Sequence, residues 1–197
     1  MTIAEALSQA RLPAAESEIL LAHILGVSRT KLFAFSDEAI SSTHEEEFAK
    51  LVRRRLDLEP IAYIVGEKEF YGRMFKTDSR ALIPRACTES LIDDVKKFLK
   101  KPENLIHEID ADIVSWTHVL RNEKPNVIVD VGTGTGCIAL TLALEHPELS
   151  VIALDISRDA LSLAKENANA LKVQNIQFVQ SDLLEHMPGD SGFILLV

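Results

Sequence analysis

Between residues 126 and 137 the chain reads Asn-Val-Ile-Val-Asp-Val-Gly-Thr-Gly-Thr-Gly-Cys, and no other stretch restricts its possible folds as much. Val and Ile suit a pleated surface enclosed on both faces, so residues 126–131 predict a buried parallel strand. Gly132, Gly134 and Gly136 then alternate with Thr133 and Thr135. The apolar run that follows predicts a helix over residues 138–145, ending near Pro147. A strand, a glycine turn and a helix in that order bring free backbone N–H groups and a helix N-terminus to the carboxyl end of a sheet. Glycine there tolerates positive φ and lets a ligand approach the main chain closely.

The spacing narrows the ligand. A dinucleotide fingerprint needs Gly-x-Gly-x-x-Gly, whereas this turn is Gly-x-Gly-x-Gly. No Lys-Ser/Thr follows the glycines, so it is not a phosphate-cradling P-loop. Asp130 lies just before the turn, near the end of the first strand. A second strand beginning at Val151 ends in Asp155, about 20 residues on, where a ribose-binding acid is expected. A carboxylate there accepts both ribose hydroxyls. The alternative is a turn that serves only tight strand–helix packing, and the acid in its expected place favours the nucleoside.

The run Asp130-Val-Gly-Thr-Gly-Thr-Gly-Cys resembles motif I of the S-adenosylmethionine-dependent methyltransferases. The stretches Ala153-Leu-Asp-Ile-Ser, Ala160-Leu-Ser-Leu-Ala-Lys-Glu-Asn-Ala and Asn175-Ile-Gln-Phe-Val-Gln-Ser-Asp-Leu-Leu resemble the next two motifs. More specifically, Glu59-Pro-Ile-Ala-Tyr-Ile-Val-Gly-Glu-Lys-Glu-Phe-Tyr-Gly and Leu82-Ile-Pro-Arg resemble the HemK/PrmC family, the protein-glutamine N5-methyltransferases of peptide chain release factors. The likeness covers residues 4–197.

This resemblance implies a Rossmann-like α/β methyltransferase domain with S-adenosylmethionine as cofactor and a release factor as protein substrate. It lays the cofactor's methionine over Gly132, Thr133, Gly134, Thr135 and Gly136. The ribose falls on Asp155 and the adenine beside Asp182 and Leu183. It also implies an Asn-Pro-Pro-Tyr motif after the fourth strand, gripping the glutamine amide. No such motif occurs in these residues, so the resemblance puts the catalytic Asn beyond Val197. The expectation is therefore a fragment or truncated gene product, incomplete on its C-terminal side and inactive as it stands. A complete protein that kept only the cofactor half is the other reading. Leu82-Ile-Pro-Arg-Ala-Cys-Thr-Glu keeps the family's Pro84, Arg85, Thr88 and Glu89 but departs from its Pro-Arg-Pro-Glu-Thr-Glu at Ala86 and Cys87. That loosens a loop and removes an acid near the cofactor cleft.

Upstream, residues 1–58 predict a small helical bundle: helices over 3–12, 16–25 with Gly26 as its stop, 28–33 capped by Ser28, and 44–58 capped by Ser42 or Thr43. By resemblance this domain recognises the release factor. Arg53-Arg54-Arg55 reads as a solvated helix face rather than a partner contact. Pro60 ends the last helix. Residues 59–80 predict a β-hairpin linker, from the alternation of Ile61, Tyr63 and Val65 before Gly66. Residues 81–197 form the partial methyltransferase domain. Within it are a helix over 89–99, an insertion over 100–125 with a helix at 106–120 carrying Trp116, and a helix over 159–171 capped by Ser157. Strand three covers 176–180, a turn 188–190 and strand four 193–197, ending at Val197.

Composition bounds the alternatives. A net charge of −9 disfavours a phosphate-clamping surface, which with residues 59–72 counts against a nucleic-acid adenine-N6 methyltransferase. A non-catalytic module that binds the cofactor or the release factor is the remaining alternative. No apolar run reaches membrane-span length and the first residues carry no secretory pattern, so no membrane partner is expected. Cys87 and Cys137 give neither a disulfide framework nor a metal pattern, so the expected setting is the cytoplasm, with the mitochondrial matrix as the alternative. Cys137, beside a helix N-terminus, stands where a thiolate is favoured, but packing of a small residue is the preferred reading.

Overall fold

A computed structural model describes residues 1–100, 127–186 and 193–196. The chain divides into two compact units at the Gly66–Glu67 bond.

The first unit is helical: α1 (Ile3–Gln9), α2 (Ala14–Leu25), α3 (Arg29–Ala34), α4 (Ser42–Leu56) and α5 (Ile61–Val65). Thr2 and Glu5 open α1 with a reciprocal capping box. The helix stops short of residue 12 because Arg11 takes a left-handed φ of 52°. Gly26, at φ 62°, closes α2 by donating to the carbonyls of Ala22 and His23. The cap of α4 is Ser41, one residue before the expected pair; its hydroxyl accepts the His44 amide at 3.2 Å. Ile3, Leu20, Leu21, Leu32, Phe48 and Ile64 form the core. Of the three consecutive arginines, Arg54 pairs with Glu59 and Arg55 with Glu16, so this run is partly a set of internal ties.

The hairpin is displaced from its expected start. Residues 61–65 are a single helical turn, not a strand. Pro60 sets its entry, and Gly66 at φ 84° stops it. Ile64 is the buried residue of this turn and joins the helical core, although alternation would have turned it outward. The hairpin itself is β1 (Glu67–Phe70) and β2 (Arg73–Lys76), paired antiparallel through a turn at Tyr71-Gly72. It falls in the second unit, where Phe70 and Phe75 meet edge to face, 6.1 Å between ring centroids, inside that unit's core.

The second unit continues with α6 (Glu89–Lys100), β3 (Val127–Val131), α7 (Cys137–Glu145), β4 (Ser150–Asp155), α8 (Arg158–Leu171), β5 (Ile176–Gln180) and β6 (Phe193–Leu196). The fourth parallel strand is thus described to Leu196. Its expected last residue, Val197, falls outside the described residues, as do the expected helix at 106–120 and turn at 188–190. The four strands form one parallel sheet in the order β5-β4-β3-β6. Successive strands step one way from β3 to β5, and β6 then adds on the opposite side of β3. The carboxyl end of β3 is therefore the topological switch point, where open α/β sheets leave a crevice for a ligand. The core joins Phe70 and Phe75 of the hairpin, Ile92 and Val95 of α6, Leu140 and Leu142 of α7, and Ile128, Val151 and Ala153 of the sheet. An ionic cluster backs it: Glu145 at the end of α7 pairs with both Arg73 and Lys96, and Tyr71 donates to Asp93 at 2.7 Å.

Candidate functional site

The glycine turn occupies the switch point. Gly132, Gly134 and Gly136 hold φ values of 76°, 56° and 80°, which side-chain-bearing residues rarely adopt. The reasons for glycine differ along the turn. A Cβ on Gly136 would lie 3.0 Å from Leu140 Cδ1 and 3.1 Å from Ala164 Cβ, so this position lets α7 and α8 close on each other. A Cβ on Gly132 would meet nothing within 4 Å, so open space lies over this residue. A Cβ on Gly134 would lie 3.8 Å from Ala81 Cβ, which brings residue 81 against the turn.

The amides of Gly132, Thr133, Gly134 and Gly136 are already paired within the chain. Gly132 and Thr133 both donate to the Leu154 carbonyl at 2.9 Å, and Gly136 donates to the Thr133 carbonyl at 2.8 Å. The Gly134 amide donates to Asp155 Oδ2 at 2.9 Å. The turn follows directly on a strand ladder, and β4 takes up its first donors. What remains is a main-chain surface suited to close approach, with most of the turn's donors already engaged.

Three side chains hold the turn. Asp130, buried beneath it, accepts the Thr133 hydroxyl at 2.7 Å and the Ala139 amide at 3.2 Å. Burial pushes its carboxyl up to about 6; these two donors oppose the rise, and the negative charge of Asp155 adds to it. Asp155 ends β4, half-buried, with Oδ2 on Gly134 and Oδ1 on the Ser157 amide at 2.9 Å. Asn167 of α8 donates to the Thr135 carbonyl at 2.9 Å. Sequence reasoning missed Asp130 and Asn167 as holders of the turn, since the pairing of Asn167 with residue 135 has no periodic signal.

The other expected residues divide. Thr133 and Thr135 are both buried, and the Thr133 hydroxyl turns inward onto Asp130. Asp182 is exposed beyond the end of β5, and its main-chain carbonyl accepts the Glu185 amide at 3.1 Å. Leu183 is 70% exposed, with φ 47°. Ile156, next to Asp155, is 63% exposed, and an apolar residue directly after the strand-ending acid is the signal that would have found it. Two large apolar side chains thus stand in water just past the carboxyl ends of adjacent strands. Cys137 is corrected as a thiolate candidate: burial pushes its thiol up to about 11 despite the helix N-terminus. Among the described residues no cluster of His, Cys, Asp or Glu could hold a metal ion, and no helix is long and apolar enough to cross a membrane.

A glycine turn at the switch point of a parallel sheet, with an acid closing the next strand, marks an α/β domain with the architecture of nucleotide-binding folds, and residues 122–193 match the methyltransferase domain family. Residues 2–66 match the PrmC N-terminal domain and end where the first unit ends. The chain thus carries a match to the PrmC N-terminal domain followed by a match to a methyltransferase domain, and its relatives include release factor glutamine methyltransferases. It is 35% identical over 196 residues to the release factor glutamine methyltransferase of Escherichia coli, covering 98% of this chain and 62% of that one. A release factor glutamine methyltransferase of Chlorobaculum tepidum is 38% identical over 173 residues, 87% of this chain and 53% of that one. A bifunctional methyltransferase of Rickettsia prowazekii is 40% identical over 177 residues, 89% of this chain and 34% of that one. The chain thus spans between about a third and three fifths of the length of these relatives.

Proposed function

We propose that these residues form the substrate-recognising and cofactor-binding portion of an S-adenosylmethionine-dependent enzyme that methylates the N5 nitrogen of a release-factor glutamine. The observation that carries the cofactor reading is the carboxylate of Asp155, anchored on Gly134 at the switch point. Each of its oxygens accepts one protein amide and keeps a further lone pair, so the pair can receive two ribose hydroxyls. The open space over Gly132 suits the close passage of the methionine portion. Ile156 and Leu183 offer apolar surfaces for the adenine, and Asp182 an acceptor for its amine. Residues and group fit.

The cofactor supplies an electrophilic methyl group on sulfur. The chain's own residues supply placement: Asp130 and Asn167 fix the turn from below, and Asp155 fixes the sugar against it. Placement matters because methyl transfer needs the sulfur–methyl axis aligned with the attacking nitrogen, and holding reactants in line removes much of the entropic barrier. The Asn-Pro-Pro-Tyr expected to grip the glutamine amide is not among the residues up to Val197, so none of them is assigned a catalytic role. The release factor as partner rests on the family and on the names of the Escherichia coli and Chlorobaculum relatives.

Two measurements test this. Gel filtration of the chain with a peptide chain release factor yields a complex; separate elution contradicts the substrate reading. Photolabelling with S-adenosylmethionine tritiated in its methyl group marks a peptide from the 130–185 region, and excess S-adenosylhomocysteine suppresses it. Labelling confined elsewhere, or insensitive to that competitor, contradicts the cofactor reading.

A further inference from the structure

We infer that Asn167 is a positioning residue that couples strand β2 of the hairpin to the cofactor turn, so that seating a nucleoside in the turn tightens the hairpin's docking. The inference rests on the cofactor reading above and adds a residue and a strand that lie outside the nucleoside contacts.

Asn167 lies on α8 and is 1% exposed. Its Oδ1 accepts the Lys76 amide at 2.7 Å. Its Nδ2 donates to the Lys76 carbonyl at 3.1 Å and to the Thr135 carbonyl at 2.9 Å. One carboxamide thus pairs both main-chain groups of the last residue of β2, as a neighbouring strand would, and spends its other donor on the turn. The opposite amide orientation would set an N–H against an N–H and an oxygen against two carbonyls, so the network fixes this assignment.

The connection is reinforced on both sides. Downstream of Lys76, the chain passes against the turn at Ala81, 3.8 Å from the position of a Cβ on Gly134. Between the two, Arg80 grips Asp78 through Nε and Nη2 at 2.9 and 2.7 Å and reaches Glu166 of α8 through Nη1 at 2.6 Å. Glu166 also pairs with Lys76, and the two cations hold its carboxyl down to about 2. Residues 76–81 therefore form a strap anchored to α8 at Asn167 and Glu166 and lying on the glycine turn. A side chain that only filled the core would need no bond to Thr135. A buried carbonyl deprived of its donor is destabilised, so the turn and the strap share one set of obligatory partners.

Amide hydrogen exchange on the whole chain, read by NMR with and without S-adenosylhomocysteine, tests the coupling. The expected result is slower exchange at residues 132–136 and, in the same titration, at Lys76. Protection of the turn with Lys76 unmoved overturns the inference while leaving the cofactor reading in place. No protection at the turn refutes that reading, and the inference with it. In the variant Asn167→Ala, provided it keeps a cooperative melting transition, affinity for S-adenosylhomocysteine falls about tenfold and the Lys76 response disappears. Unchanged affinity in that folded variant overturns the inference. Should the variant not fold, the exchange measurement on the native chain decides.

Discussion

Asp155 and Gly134, 21 positions apart, are joined by a 2.9 Å hydrogen bond from the glycine amide to Oδ2. The bond ties the acid at the end of β4 to the middle of the turn that follows β3. Both ends of a bound nucleoside would therefore be referred to one rigid frame. The same carboxylate takes the Ser157 amide, so it is held at both oxygens before any ligand arrives. Preorganised groups of this kind lose little entropy when they bind.

Asp130 makes stability depend on pH in a definite direction. Burial lifts its carboxyl from 3.8 to about 6. Between those values the folded chain holds a proton that the unfolded chain has released, so stability falls as pH rises from about 4 to about 6 and stays lowered above. The full effect is on the order of 3 kcal/mol. Asp130→Asn can still accept from Thr133 and Ala139 but carries no charge. Melting curves at several pH values will show the native protein losing ground to this variant between pH 4 and 7; parallel pH profiles would contradict the assignment.

The outer glycines of the turn separate packing from binding. Gly136→Ala combines a left-handed φ with contacts of 3.0 and 3.1 Å to Leu140 and Ala164, and is expected to lose about 2–4 kcal/mol in denaturant unfolding. Gly132→Ala meets no atom within 4 Å and bears only the backbone strain of about 1–2 kcal/mol. Its larger effect falls on cofactor affinity, because the new methyl group projects into the open space. Equal stability losses with unchanged affinity would contradict the distinction.

Ile156→Ser and Leu183→Ser remove exposed apolar surface and leave the core intact. Their melting temperatures should stay within a degree or two of the native value. Affinity for S-adenosylhomocysteine should drop by roughly tenfold for each, the order expected when an apolar side chain covering a ring is lost. Native affinity in both variants would remove them from the site.

The architecture of the second unit was legible because its signals are local. The Val-Ile strand, the Gly-x-Gly-x-Gly turn and the acid at 155 each occupy a few consecutive residues, and strand and helix limits from 137 to 180 follow within a residue. The hairpin's start was not legible. Ile61, Tyr63 and Val65 alternate as a strand does, yet five residues between Pro60 and Gly66 fit one helical turn equally well, and the neighbouring helical core decided for it. The inward direction of the turn's amides and the reach of Asn167 were also hidden. Both depend on pairing across tens of residues, which no spacing rule records.

Thiol reactivity gives an independent check on the site's interior. Cys87 is exposed, while the Cys137 thiol is pushed up to about 11 by burial. Iodoacetamide at pH 8 should therefore modify Cys87 first and Cys137 only slowly, as read by mass spectrometry of the peptides. Rapid labelling of Cys137 would mean that the start of α7 is open to solvent.

The most direct test of the cofactor site is calorimetric titration of S-adenosylhomocysteine into the native chain and into Asp155→Ala. The native protein should bind one equivalent. The variant should stay folded and bind at least about tenfold more weakly, having lost the acceptor for both sugar hydroxyls. No binding by the native chain, or equal affinity in the folded variant, would contradict a nucleoside held at the carboxyl ends of β3 and β4.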